Sequence, residues 1–463
     1  MRKKTSKKKE NKNVVAMQLV NPLAAGIDIG DKIHAVAVPE GITNERVRVF
    51  GTMTCDLYEI VHWLKECKIV TVAMESTGVY WKPLFVLLNK EGFEVHLVNS
   101  RHVKNVTGRK NDEDDAMWIQ KLHSCGLLKS SYLPEDEQEC LRTLVRFRRT
   151  LVQDSSRFVL RMQKSFELMN IKLHTTISDI TGKTGRLIIE AIIAGERNAE
   201  NFLPFLDKRI KASDEVIKKS LEGNWREEHI LTLKEAYGFY KFYIERIASL
   251  DKEIEQRLRC YEAIRNDGEV KEKAQPKQEI APKKKYKKKN KHLPGFDVRH
   301  YLNRIHGVDV LAIYGLSDMS GLDLLAETGT DLSKWETEKH FVSWLNLCPN
   351  NKVSGGKLIS SKVMKKKANY ASQAFRNAAN AVQRSNNWLG DFFRRKKSKH
   401  GNKYAVTATA NKIATIYYKM VRYKEEFKPV DLIEHQMRNN EKRINYLERK
   451  IKQLKEGRLK EVA

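Results

Sequence analysis

Residues Ala24 to Glu40 read AAGIDIGDKIHAVAVPE, and this stretch decides the fold. An apolar run with an acid inside it, a break at Gly30-Asp31 and a second run alternating through Ile33, Ala35 and Ala37 predict two strands joined by a tight turn. Arg46 to Met53 fits a third strand. The carboxylate of Asp28 falls within the first apolar run, where an unpaired charge is costly. Such an aspartate is either held by structural hydrogen bonds or serves as a ligand.

Outward from there, CDLYEIVHWLKEC (55–67) puts Leu57, Ile60, Val61 and Leu64 on one helical face. IVTVAMES (69–76) is a buried-strand run ending at Glu75, Val79 to Asn89 reads as a helix stopped by Gly92, and EVHLVNS (94–100) as another strand. KNDEDDA, Lys110 to Ala116, opens a further helix, with Asp112 and Asp115 three apart on one face. Three strands followed by helix, strand, helix, strand and helix is the order of a ribonuclease H-like mixed sheet. Sites of open α/β sheets lie outside the carboxyl ends of the strands, so Asp28, Glu75, Asp112 and Asp115 are expected to converge. Four bare carboxylates repel one another; divalent cations relieve that, and magnesium with oxygen ligands suits phosphoryl chemistry. Taken alone, the acidic pair also reads as a solvated helix start favoured by the helix dipole.

Lys and Arg number 86 against 58 Asp and Glu, a formal net charge of +28, which favours a phosphate-bearing partner and makes nucleic acid the expected one. The 463 residues accommodate two to four domains. Six cysteines show no zinc-ligand spacing and read as reduced thiols. The basic run MRKKTSKKKENKN at the amino terminus precedes no apolar segment of signal-peptide length, and nothing approaches a membrane span. A cytoplasmic protein without a membrane partner is therefore expected.

The expected organisation is a basic tail (1–22), a catalytic α/β domain (23–136), a helical coiled-coil domain (137–263), a basic disordered linker (264–295), a mainly helical carboxyl-terminal domain (296–428) and a helical tail (429–463). One heptad seam runs from Leu141 to Met169 with polar interruptions at Arg148 and Ser155; a second runs from Ile230 to Tyr261 through Asp251. These helices could pair within one chain or between chains. Arg142, Arg146, Arg148, Arg149, Arg157 and Arg161 crowd the first seam, facing either phosphates or solvent. KKKYKKKNKH in the linker is a second electrostatic handle. RIHGVDV and LLAETGTDLSKW flank a Gly-centred turn of helix-hairpin-helix type, which could present backbone N–H groups to phosphate. Further on, Ser354 precedes Gly355 and Gly356, either a small flexible loop able to approach a phosphodiester closely or, as SGG more often is, simply a turn. Helices are expected at Tyr370 to Gln383 and Tyr404 to Val421, separated by FFRRKKSKHGNK, and Ile444, Leu447, Ile451 and Leu454 form a short heptad expected to pack on another helix.

GIDIGDKIHAVAV, the stretch from AMESTG through KNDEDDA, LCPNNKVSGGK and YAVTATANKIATIYYKM together resemble the DEDD-type insertion-sequence transposases, the group that includes bridge-RNA-guided recombinases and the pilin-gene invertase. The matching parts cover most of residues 24–130 and 300–425, and the most specific is the family's KTDxxDA, here KNDEDDA. Departures lie in the second region: HGV at 306–308 where the family has PGI or PGV, an insertion around Tyr314 to Gly321, and Ala368 in place of a glycine. The resemblance implies a RuvC-like domain in which Asp28, Glu75, Asp112 and Asp115 ligate magnesium, two ions in all, and a carboxyl-terminal Ser354 that becomes covalently joined to DNA. It further implies double-stranded donor and target DNA, a structured noncoding RNA that chooses the sites, and a homo-oligomer, dimer or tetramer. Lys104, Arg109, Lys110, Arg142, Arg146, Lys352, Lys357, Lys362, Lys365 and Lys366 are the candidate nucleic-acid contacts. Competing readings are a metal-dependent nuclease that uses water instead of serine and a non-catalytic RNA-binding scaffold. An actin-like ATPase, suggested by GIDIG, lacks its second phosphate loop.

Overall fold

The computed structural model describes residues 19–99, 112–268, 292–362 and 369–461. The basic tail up to residue 18 and most of the expected linker fall outside them. The chain divides into two compact units, one ending at Leu133 and the other beginning at Pro134.

In the first unit, β1 (Ala24–Ile29), β2 (His34–Ala37), β3 (Val47–Phe50), β4 (Thr71–Glu75) and β5 (Glu94–Val98) form one sheet in the order β3-β2-β1-β4-β5. β1 to β3 run antiparallel, while β4 and β5 add in parallel to β1. One face carries Ile27, Ile29, Val36, Val72 and Met74, packed on Ile60, Leu64, Leu84 and Leu88 of α1 (Thr54–Glu66) and α2 (Trp81–Lys90). The other face carries Gly26, Ala35, Ala37 and Ala73, small residues that let α3 (Asp112–Ser124) lie close through Ala116 and Ile119. β2 is covered on both faces, so Val36 is as buried as Ala35 and Ala37, and Ile33 falls in the turn before the strand. The element order matches the expectation from sequence; the third strand is shorter than the expected span.

In the second unit, α4 (Asp136–Leu168) and α8 (Glu227–Gly268) pack antiparallel: Ser165 meets Thr232 at one end and Arg148 meets Asp251 further along. The pairing lies within one chain. Between them in sequence, α5 (Leu173–Thr176), α6 (Lys183–Ile193) and α7 (Asp214–Leu221) close one end of the pair over a core that includes Phe166, Ile188, Phe202 and Tyr237. The rest comprises α9 (Val298–His306), α10 (Asp318–Thr328), α11 (Glu338–Trp344), the hairpin β6 (Asn350–Ser354) and β7 (Lys357–Lys362), then α12 (Tyr370–Val382), α13 (Trp388–His400), α14 (Asn402–Tyr423) and α15 (Leu432–Glu461). Phe341, Phe375, Tyr417 and Tyr418 form its aromatic core. The basic FFRRKKSKH run, expected to separate two helices, is itself most of α13, because Trp388, Leu389 and Phe393 give it a buried face. No described helix is long and apolar enough to cross a membrane.

Candidate functional site

Asp28 and Glu75 owe their places to strand register. Ile27 pairs with Met74 across the parallel β1–β4 ladder, so Asp28 and Glu75 occupy the next positions on adjoining strands. Side chains alternate along a strand, which puts Asp28 on the face of Gly26, and Glu75 on that of Ala73, the face that receives α3. Both stand at the carboxyl ends of their strands. Asp28 is half-buried; Glu75 is 8% exposed, and its Oε1 accepts a 3.4 Å hydrogen bond from the Thr77 hydroxyl. Thr77 is a neighbour that the sequence reading did not single out; the polar ESTG after a buried strand was its available signal.

Helix α3 runs back along β1. The Gln120 side chain donates to the Ala24 carbonyl, and Ala116, one turn earlier, lies over Gly26, where an added Cβ would stand 2.5 Å from the Ala116 carbonyl oxygen and 2.2 Å from the Gln120 nitrogen. Four helical residues advance about 6 Å and two strand residues about 6.6 Å, so the two elements stay in step. The amino end of the helix, at Asp112, therefore comes toward the Asp28 end of β1, and the half-buried Asp115 sits in this first turn. The carboxyl end is fastened by Val20 and Asn21, whose backbone N–H groups donate to the Ser124 carbonyl. His123 is buried there against the Thr71 hydroxyl, Nε2 to Oγ1 2.9 Å; burial, with the nearby His96 adding to it, pushes its pKa down to about 4.

Carboxylate oxygens are the donors that a hard divalent cation takes, and a half-buried Asp28 beside a buried Glu75 fits such an ion. Among the described residues no group of three or more His, Cys, Asp or Glu side chains is placed to hold a metal, and the side chain of Asp112 lies outside that description.

Ser354 is the last residue of β6 and pairs directly with Lys357, the first of β7. Between them Gly355 and Gly356 have φ of 55° and 75°, the two left-handed positions of a two-residue hairpin turn. The serine thus stands at the tip of a tight hairpin, the turn that SGG offered beside the loop reading. The tip is exposed: Ser354, Lys352 and Lys357 face solvent, and Val353, Leu358 and Ile359 are 60%, 59% and 68% exposed.

The remaining basic candidates divide. Arg146 makes a bidentate pair with Glu327, at 2.7 and 2.8 Å, and stacks with Arg149 on the Tyr370 ring; Arg142 pairs with Glu139. Arg149 pairs with Asp323, Arg157 with Asp154, and Arg148 with Asp251. The crowded arginines of α4 are thus engaged mostly with acids of the same unit. Lys362 ends β7, its side chain beyond description, and Lys104, Arg109, Lys110, Lys365 and Lys366 lie outside the described residues.

Residues 25–171 match the family model of DEDD-type IS110 transposases, and residues 309–394 match that of the transposase IS116/IS110/IS902 family; together the two segments span half of the chain. No curated protein matches it significantly. The first match covers the whole mixed sheet with its carboxylates, which agrees with a RuvC-like DEDD domain and implies dependence on a divalent metal. The second covers the Ser354 hairpin. With both halves of its architecture matched in order, the chain belongs to the IS110 family of transposases, enzymes that act on DNA.

Proposed function

We propose that this transposase cuts and rejoins DNA strands through a covalent phosphoserine intermediate at Ser354, with Asp28, Glu75, Asp112 and Asp115 as ligands of two magnesium ions and a structured noncoding RNA selecting the DNA sites. The observation that carries this reading is the neighbouring register of Asp28 and Glu75 on β1 and β4, with the amino end of α3 brought to the same end of that face.

When bound, the metal supplies positive charge that stabilises the phosphoryl oxygens and the leaving group. In the step itself the Ser354 hydroxyl gives up its proton, Oγ forms a bond to phosphorus, and the phosphorus–sugar oxygen bond breaks. The sugar oxygen leaves with the electron pair and is protonated. One phosphoester replaces another, so the reverse attack by a different strand end rejoins DNA without an external energy source. Lys357, directly opposite Ser354 in the hairpin, offers a cation for the approaching phosphate, and the two glycines leave the turn free of side chains that would keep the backbone away.

The net charge of +28 supports extended contact with nucleic acid beyond one DNA segment. Base pairing by an RNA would then supply sequence choice while the protein reads backbone and shape. A dimer or tetramer fits a reaction on two DNA molecules. The test is sequencing of RNA that co-purifies with the protein, together with recombination by Asp28→Asn and Glu75→Gln. A discrete RNA and at least hundredfold loss in each variant are expected (about 10²- to 10³-fold for removing one charge-stabilising group). Random RNA fragments would defeat RNA guidance, and full activity of either variant would defeat the metal-site assignment.

A further inference from the structure

Helix α15 leaves an apolar stripe uncovered. Ile433, Met437, Ile444, Leu447, Ile451 and Leu454 are 62%, 64%, 54%, 45%, 52% and 62% exposed. Their spacing of alternating fours and threes, with Asn440 filling the one gap, is a continuous heptad seam. The helix docks through its other side: His435 meets Asp391, Arg395 and Trp388 of α13, and Leu432, His435 and Asn439 are the half-buried positions of its first turns. The seam therefore points away from the body that holds the helix. The helix that this heptad is expected to pack on is therefore not among the described helices of the same chain.

We propose that two copies of this chain pair through α15 as a parallel, two-stranded coiled coil. Three observations favour a second copy as the occupant, and the first and third of them favour that orientation. The first is the choice of core residues: with Met437 at an a position, Ile444 and Ile451 are also at a, and Leu447 and Leu454 at d. Branched isoleucine at a with leucine at d favours the parallel dimer over higher oligomers. The second is charge. In parallel register Arg443, at g, faces Glu448, at e, of the other copy, and the pair occurs twice by symmetry. A like-charged pair, Lys450 with Lys455, lies toward the carboxyl end of the seam, beyond the Arg443–Glu448 level, and Arg458 at the next a position ends the apolar core. An antiparallel arrangement centred between Leu447 and Ile451 sets Glu448 against Glu448 and Glu441 against Lys455, so charge admits a second copy while the orientation is set by the core residues. The third is Asn440. Alone at a d position, it finds its partner in the same residue of the second copy when the strands are parallel and in register, a polar contact that fixes alignment.

The chain's own segments outside the described residues do not suit the seam. Residues 1–18 and 269–291 are rich in lysine and poor in apolar heptads, and α15 itself carries more Lys and Arg than Asp and Glu. The inference deepens the dimer or tetramer of the proposed function and does not depend on its serine chemistry.

The test is the mass of the full-length protein by sedimentation equilibrium, with site-directed cross-linking. Wild type should self-associate, and the double variant Ile444→Lys/Leu447→Lys should lose at least one twofold step in mass. Arg443→Glu and Glu448→Arg should each weaken association, and the two combined should restore it. Leu447→Cys should form an intermolecular disulfide that wild type, with its native cysteines, does not, since d faces d only in the parallel register. Unchanged mass in the double-lysine variant, or no cross-link at Leu447→Cys, overturns the proposal. Both results together would mean that the seam is covered by nucleic acid or by a different protein.

Discussion

Arg148 of α4 and Asp251 of α8 are charged breaks in two largely apolar seams, and they are bonded to each other. The guanidinium is 1% exposed and the carboxylate 8%; the pair takes in the Gly295 amide, which donates to Asp251, and the His292 carbonyl, which accepts from Arg148. The buried pair thus sets the register of the two long helices and ties in the start of the segment that follows α8.

Removing one partner leaves a buried charge uncompensated. Asp251→Ala should lower unfolding free energy by about 3–5 kcal/mol in urea titrations, whereas Arg148→Met combined with Asp251→Leu should recover most of that loss. A single-variant loss below about 1 kcal/mol would show that the pair is not desolvated in the folded protein.

Gly26 is required by the closeness of α3. A methyl group there would meet the helix backbone at 2.2 Å, a collision with atoms that cannot rotate aside. Gly26→Ala should destabilise the first unit by about 3 kcal/mol and displace Asp112 and Asp115, abolishing recombination while leaving DNA binding by the second unit measurable. Thermal melts and strand-transfer assays on the same preparation check both parts.

His123 makes that helix sensitive to acid. Its folded pKa, about 4, lies below the ordinary 6.5, so its contribution is complete above about 6.5 and is lost as pH falls toward 4. The loss over that window should be on the order of 3 kcal/mol. His123→Gln, which can still meet the Thr71 hydroxyl, should flatten the stability profile between pH 6.5 and 4. An unchanged slope would place the acid lability elsewhere.

Lys357 should act through phosphate alone. Lys357→Gln is expected to weaken DNA binding uniformly across sequences and to reduce the slope of log affinity against log salt by about 1. A change in sequence preference would instead give it a role in base contact.

Much of the first unit was legible because local patterns coincided with global ones. Asp28 lies within one short apolar run and Glu75 ends another, and the element order alone makes those runs neighbours. Gly26 was visible as a residue but not as the contact point of a helix ninety residues later. In the second unit the seams could be read, yet whether the arginines of α4 meet phosphates or acids could not. Arg146 and Glu327 are 181 positions apart, and a long side chain reads the same beside either partner. The basic run of α13 reads as a connector because its arginines and lysines mask the buried Trp388, Leu389 and Phe393 side chains that make it a helix face.

Covalent attack by Ser354 is tested by trapping the protein–DNA adduct. Purified transposase, with any co-purifying RNA, is incubated with end-labelled substrate DNA and magnesium, denatured, and digested for peptide mapping. A denaturant-stable adduct on the peptide containing Ser354 is expected, absent from Ser354→Ala together with strand cleavage. Cleavage that persists in Ser354→Ala, or an adduct on another residue, would contradict it.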